Sequence, residues 1–171
     1  PGISSAASDV YKRQAIAGPL QGGIMLTGPT GWRGLATSGQ GGRSLSSGIA
    51  DSVTVLAKCA ATADVAATLI AGAVDCPDMS SIARRPAYEI DPDSDLGSRL
   101  VTIAVPPLHP TRIANALAAG HDLATQMMYS GKIAGAVLEL QGEIAVAGLD
   151  EPAALLRTGQ SFADISRNKE D

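Results

Sequence analysis

Apolar residues recur along this chain with two periods, and the alternation between them outlines its elements. Over residues 60–74, Ala63, Ala66, Ala67, Ile70 and Val74 fall at helical spacing, with neither Gly nor Pro before Gly72. That spacing predicts a helix, ended by Cys76-Pro77-Asp78. A second stripe of Ile113, Ala116, Leu117, His121, Leu123, Ala124 and Met127 predicts another helix, opened by Pro110 or Thr111 and closed by Ser130-Gly131. Gly120 inside it points to close packing. Runs rich in β-branched residues predict strands at Val53-Thr-Val-Leu56 and at Arg99-Leu-Val-Thr-Ile-Ala-Val105, the latter stopped by Pro106-Pro107. Residues 133–147 alternate about Gln141-Gly142 and predict a hairpin.

Three shorter signals complete the outline. Ile24-Met-Leu26 is an edge-strand candidate within the Gly- and Pro-rich residues 15–33. Ala87-Tyr-Glu-Ile90 reads as a short strand in the otherwise irregular residues 78–99, and residues 149–157 read as a short helix. The order strand, helix, strand, helix, hairpin predicts an α+β fold, a layered mixed or antiparallel sheet with helices packed on it. The first residues stand apart. Asp9-Val-Tyr-Lys-Arg-Gln14 resembles the translation of a sequencing-library adapter. Residues 1–14 are therefore expected to be a non-native leader, 15–148 the partial domain of a longer gene product, and 149–171 a tail.

Composition narrows the function classes. Aromatic residues make up only 3% of 171 residues, so Ala, Val, Leu and Ile must form the core through close backbone approach. A net charge of −4 and the lack of clustered Lys and Arg argue against nucleic acid as a partner. No apolar run is long enough to span a bilayer. Cys59 and Cys76 flank the first predicted helix, which would hold them roughly 20 Å or more apart. Two unpaired thiols suit a cytoplasmic protein.

The chemistry-bearing residues concentrate between Gly34 and Val74. The loop Gly34-Leu-Ala-Thr-Ser-Gly-Gln-Gly-Gly-Arg-Ser44 is rich in Gly and hydroxyls. Gly39, Gly41, Gly42 and Gly48 let a ligand approach the main chain, and Arg43 brings a forked cation suited to a pyrophosphate, although the same composition equally suits a flexible surface loop. It is neither a Walker loop nor a Rossmann fingerprint, because a strand follows it in place of a helix. Asp64 and Thr68, one turn apart, offer hard oxygens suited to Mg²⁺. The same pair also reads as a first-turn carboxylate offsetting the helix dipole and a hydroxyl bonding back to the chain. Asp91-Pro-Asp-Ser-Asp-Leu-Gly97 fails the calcium-loop spacing and reads as a solvated turn. His109 and His121 lack metal-spaced partners and read as packing or surface residues.

Taken together, Ala36-Thr-Ser-Gly39, Ser52-Val-Thr-Val55 and Ala63-Asp-Val-Ala-Ala-Thr68 resemble the ApbE-like superfamily of FAD:protein FMN transferases. Ala36-Thr-Ser-Gly-Gln-Gly-Gly-Arg-Ser44, Gly48-Ile-Ala-Asp-Ser-Val-Thr-Val55 and Pro92-Asp-Ser-Asp-Leu-Gly97 are similar to an uncharacterised branch of it. The resemblance implies Mg²⁺ on Asp64 and Thr68, FAD beside Thr37, Ser38 and Gly39, and an acceptor protein whose threonine receives FMN. Where the transferases carry a histidine-containing segment ending in Asp-Pro, this chain has Ser46-Ser-Gly-Ile-Ala-Asp51. A non-catalytic binding or assembly module of the same fold is the alternative.

Overall fold

The computed structural model describes residues 31–42 and 44–148 in full, together with the backbone of 23–24 and 155–156. The chain divides into two units, one of Pro1–Leu26 with Ala154–Asp171 and one of Thr27–Ala153. In the first, strand β1 (Gly23–Ile24) pairs antiparallel with the chain's last strand, Leu155–Leu156. Residues 155–156 are thus extended, which corrects the helix expected over 149–157. The expected leader and most of the expected tail lie outside the described residues.

The second unit is built on a four-stranded antiparallel sheet. Strands β2 (Gly34–Ser38) and β3 (Ser52–Ala57) precede helix α1 (Ala60–Ala73). A separate two-stranded ribbon follows: β4 (Ala83–Pro86), the single helical turn α2 (Ala87–Ile90) and β5 (Leu100–Ala104). Helix α3 (Pro110–Tyr129) then leads into the hairpin β6 (Ile133–Leu140) and β7 (Glu143–Ala147), and Leu155–Leu156 is β8. The sheet order is β2-β3-β6-β7. The α+β expectation holds, with every strand pair among the described residues antiparallel.

Each element has a local cause. Gln141 and Gly142 take φ of 48° and 86°, the left-handed pair that a two-residue hairpin turn requires. Pro110 opens α3 at its first position, where a missing N–H costs nothing, and His109 Nδ1 accepts from the Thr111 N–H at 3.3 Å. Ala87–Ile90 is helical and not a strand. Its first N–H groups donate outward, Ala87 to Arg99 O at 2.8 Å and Tyr88 to Gly97 O at 3.0 Å, and these bonds close a turn at the ribbon's end. Tertiary bonding overrides the extended preference of Tyr and Ile.

Both long helices cover one face of the sheet, α1 over β2 and β3 and α3 over β6 and β7. Val53, Val55 and Ala57 of β3 face Ala63, Ala66, Ala67 and Ile70 of α1. Ala136, Leu138 and Leu140 extend the same core beneath α3. The helices approach closely because residue 120 lacks a Cβ, which would fall 2.4 Å from Val74 Cγ2. Strand alternation sends Leu35, Thr37, Thr54, Val137, Glu139 and Ile144 to the opposite face.

Candidate functional site

Helix α1 is seated at both ends. At its start a Cβ on Gly34 would fall 2.1 Å from the Cys59 carbonyl carbon, so β2 begins hard against the helix N-terminus. At its end a Cβ on Gly48 would fall 2.0 Å from Ala71 O, and the Ile49 N–H donates to Val74 O at 2.8 Å. Helix and strand β2 therefore run in the same direction. Eight residues of helix rise about 12 Å and four residues of strand about 13 Å, so Ser38 and Thr68 stand at similar heights.

Asp64 and Thr68 are both exposed. No hydrogen bond or ion pair within the described residues engages either side chain. The helix begins at Ala60 with no acidic residue in its first turn, so the dipole-offsetting role does not apply to Asp64. Thr68 makes no back-bond to the helix carbonyl. No described residue occupies the side-chain oxygens of Asp64 or Thr68. Around them lie exposed apolar groups, Val65 at 59% and Leu69 at 53% of full exposure. Among the described residues no three His, Cys, Asp or Glu side chains gather as a metal site. Two hard oxygens suit Mg²⁺ only where water and a substrate phosphate complete its shell, which is its usual habit.

The glycine-rich loop is occupied by its own chain. The N–H groups of Gln40, Gly41 and Gly42 donate to Ala50 O, Asp51 O and Gly39 O at 2.8, 3.0 and 3.3 Å. A phosphate cradle built on those three amides is therefore not available. Gly39 has φ of 138°, and a Cβ there or on Gly41 would fall 2.5 or 2.8 Å from Asp51 O. Those glycines are required by the neighbouring main chain, independently of any ligand. Gly42 is exposed and less crowded, and Arg43 lies outside the described residues.

Thr37 and Ser38 are separated by strand alternation. Thr37 Oγ1 shares a 2.8 Å hydrogen bond with Thr54 Oγ1 on the face away from the helices. Ser38 points to the helix side with Ala36. Of Thr37 and Ser38, Ser38 is the one on the sheet face that α1 covers.

Sequence reasoning missed Asp51. Its Oδ1 accepts from Gln40 Nε2 at 3.2 Å and its Oδ2 accepts from the Gln141 backbone N–H, joining residues ninety positions apart. No local pattern marks such a residue. Nearby, Ser52 Oγ donates to Glu139 Oε2 at 3.1 Å.

The thiols differ. Cys59 is exposed at the N-cap of α1, and its hydrogen bond with Thr62 Oγ1 at 3.2 Å holds its pKa below the ordinary thiol range. Burial pushes the Cys76 thiol up. Lys58 Nζ lies 5.6 Å from the Trp32 ring centroid, a cation–π distance. The Asp91–Gly97 segment is a solvated turn, with the Asp93 N–H donating to Asp91 Oδ1 at 3.1 Å. Among the described residues no helix is long and apolar enough to cross a membrane.

Comparison with curated proteins and with solved structures finds no match. A family model described as "AbpE bacteria" matches residues 4–146. The match takes in β2, β3 and α1, and with them Ser38, Asp51, Asp64 and Thr68, and it spans most of the chain, which therefore belongs to the AbpE bacteria family.

Proposed function

We propose that this protein is ApbE-like and binds a flavin or other nucleotide together with Mg²⁺ on the outer face of α1. One observation carries the reading: Asp64 and Thr68 present two uncommitted oxygens one turn apart, with Ser38 at the same height. Asp64 would hold the cation and Thr68 would add a neutral oxygen, with Ser38 placed to donate to a phosphate. Bound Mg²⁺ would neutralise charge on the phosphates. With FAD as ligand, the reaction open to the site is attack of an acceptor threonine oxygen on the FMN phosphorus. The pyrophosphate bridge breaks, AMP leaves, and the threonine proton passes to solvent.

A second reading is a non-catalytic binding or assembly module. It is favoured by the exposed Val65 and Leu69 and by the spent amides of Gln40, Gly41 and Gly42. Titration of FAD fluorescence with and without Mg²⁺ tests the first reading. Quenching should saturate only with Mg²⁺ and weaken about tenfold or more in Asp64→Ala, the cost of one lost charge-assisted contact. Incubation with FAD, Mg²⁺ and a threonine-bearing acceptor, followed by mass spectrometry, then separates the two. Flavinylated acceptor with free AMP marks a transferase, and quenching without either product marks the module. No quenching at all rejects the nucleotide site.

A further inference from the structure

The Asp51 carboxylate sits between two segments and bonds to both. On one side Gln40 Nε2 donates to Oδ1, and the Gly41 N–H donates to the Asp51 carbonyl at 3.0 Å. On the other side the Gln141 N–H donates to Oδ2, and the Asp51 N–H donates to Glu139 O at 2.9 Å. The bonding continues one step further. Gln141 Nε2 donates to Pro106 O at 2.8 Å, and Gln141 Oε1 accepts the Leu108 N–H at 2.9 Å. Two side chains thus link the end of β2, the β6–β7 turn and the approach to α3.

The chemistry at position 51 calls for a carboxylate. Two donors converge on two acceptor oxygens, and an ionised Asp is acceptor-only. Asn, of the same shape, would set its NH₂ against one of those donors and leave it unpaired. Gln141 is also the one described non-glycine residue with positive φ, held there while its side chain is anchored at both ends.

We propose that Asp51, acting with Gln141, is the positioning residue that holds the Ser38–Gly42 segment in register with the outer face of α1. The functional part rests on the nucleotide reading above. Asp51 itself would touch no ligand. It fixes the segment that would.

Amide hydrogen exchange on the full chain, with Asp51→Asn, tests the linkage without a ligand. The Gly41 and Leu108 amides bond to neither carboxylate oxygen, so a change there is transmitted. Both should exchange about tenfold faster, the size expected for one lost hydrogen bond, while amides in mid-α1 and mid-α3 stay within about twofold. Acceleration confined to the Gln141 amide, or equal acceleration everywhere, overturns the proposal. Should Asp51→Asn fail to fold, Gln40→Ala removes the loop-side bond to Asp51 together with the 3.1 Å bond from Gln40 Nε2 to Ile49 O, and leaves the Gln141 side intact. It should accelerate Gly41 and leave Leu108 nearly unchanged, and an unchanged Gly41 overturns the proposal. In FAD titrations with Mg²⁺, Asp51→Asn should bind about tenfold more weakly at an unaltered saturating signal, whereas wild-type affinity in the variant overturns the functional part. A wild-type protein that binds no FAD defeats the nucleotide reading instead, and the exchange result then decides the linkage by itself.

Discussion

Helices α1 and α3 lie side by side on the same sheet face with similar inner faces, yet their outer faces have little in common. On α3 the exposed positions include Thr111, Arg112, Asn115, Asp122 and Gln126, the polar side that a surface helix presents to water. On α1 the exposed positions are Ala60, Ala61, Asp64, Val65, Thr68 and Leu69, with a single charge among them. A helix apolar nearly all round is ordinarily covered on both sides. The inner faces explain why both helices are held, and the outer faces differ in chemistry. That of α3 carries several polar and charged side chains, and that of α1 is largely apolar.

The sharpest way to break the comparison is to unseat α1. In Gly48→Ala the new Cβ would strike the Ala71 and Val74 carbonyl oxygens, which are main-chain atoms that cannot swing aside. The expected loss is about 3 kcal/mol or more, or failure to fold, read from urea unfolding. An unchanged midpoint would mean that this loop does not seat the helix. Next in size are the inner faces. Ile70→Ala in α1 and Leu117→Ala in α3 should each cost about 2–5 kcal/mol, since both side chains are buried.

The outer face of α1 should behave otherwise. Leu69→Lys is expected to change stability by no more than about 0.5 kcal/mol while weakening FAD binding in the Mg²⁺ titration. A loss of stability as large as that of Ile70→Ala would erase the distinction between the two faces. Smaller still is the contrast between thiols. Cys59 should be alkylated at neutral pH and Cys76 should resist. The Cys59 pKa is lowered chiefly by Thr62, so Thr62→Ala should raise it and slow labelling as followed by intact mass. The smallest effect belongs to Asp78, whose pKa is lowered by the 2.7 Å bond from Arg112. Its contribution is present above the unfolded-state pKa and fades as pH falls through the lower folded one. Both partners are exposed, so Asp78→Asn should barely move the melting temperature at pH 7, and less again at pH 3.

The parts of the fold fixed by local pattern were legible in the sequence. Helical spacing located α1 and α3 to within a residue, and Gln141-Gly142 located the hairpin. Strand β4 escaped because Ala83-Arg-Arg-Pro86 has neither alternation nor β-branching and exists through pairing with β5. The site was legible only as residue types. Asp64 and Thr68 were readable from their spacing on one helix. The amides of Gln40 and Gly41 were not, because their acceptors, Ala50 and Asp51, lie around a turn the sequence does not describe. Asp51 was hidden for a stronger reason. Its partners are eleven and ninety residues away, and their convergence is a property of sheet order alone.

That sheet order carries a consequence for synthesis. Strand β3 pairs with β2 on one edge and with β6 on the other, and residues 58–132 intervene before β6 begins. A ribosome adding about 5–20 residues per second leaves the second edge of Ser-Val-Thr-Val-Leu-Ala, which carries no charge, uncovered for roughly 4–15 s. Over that interval the nascent chain displays an adhesive ribbon. Slowing translation between positions 58 and 132 should therefore reduce the yield of folded protein, whereas slowing it after position 147 should not.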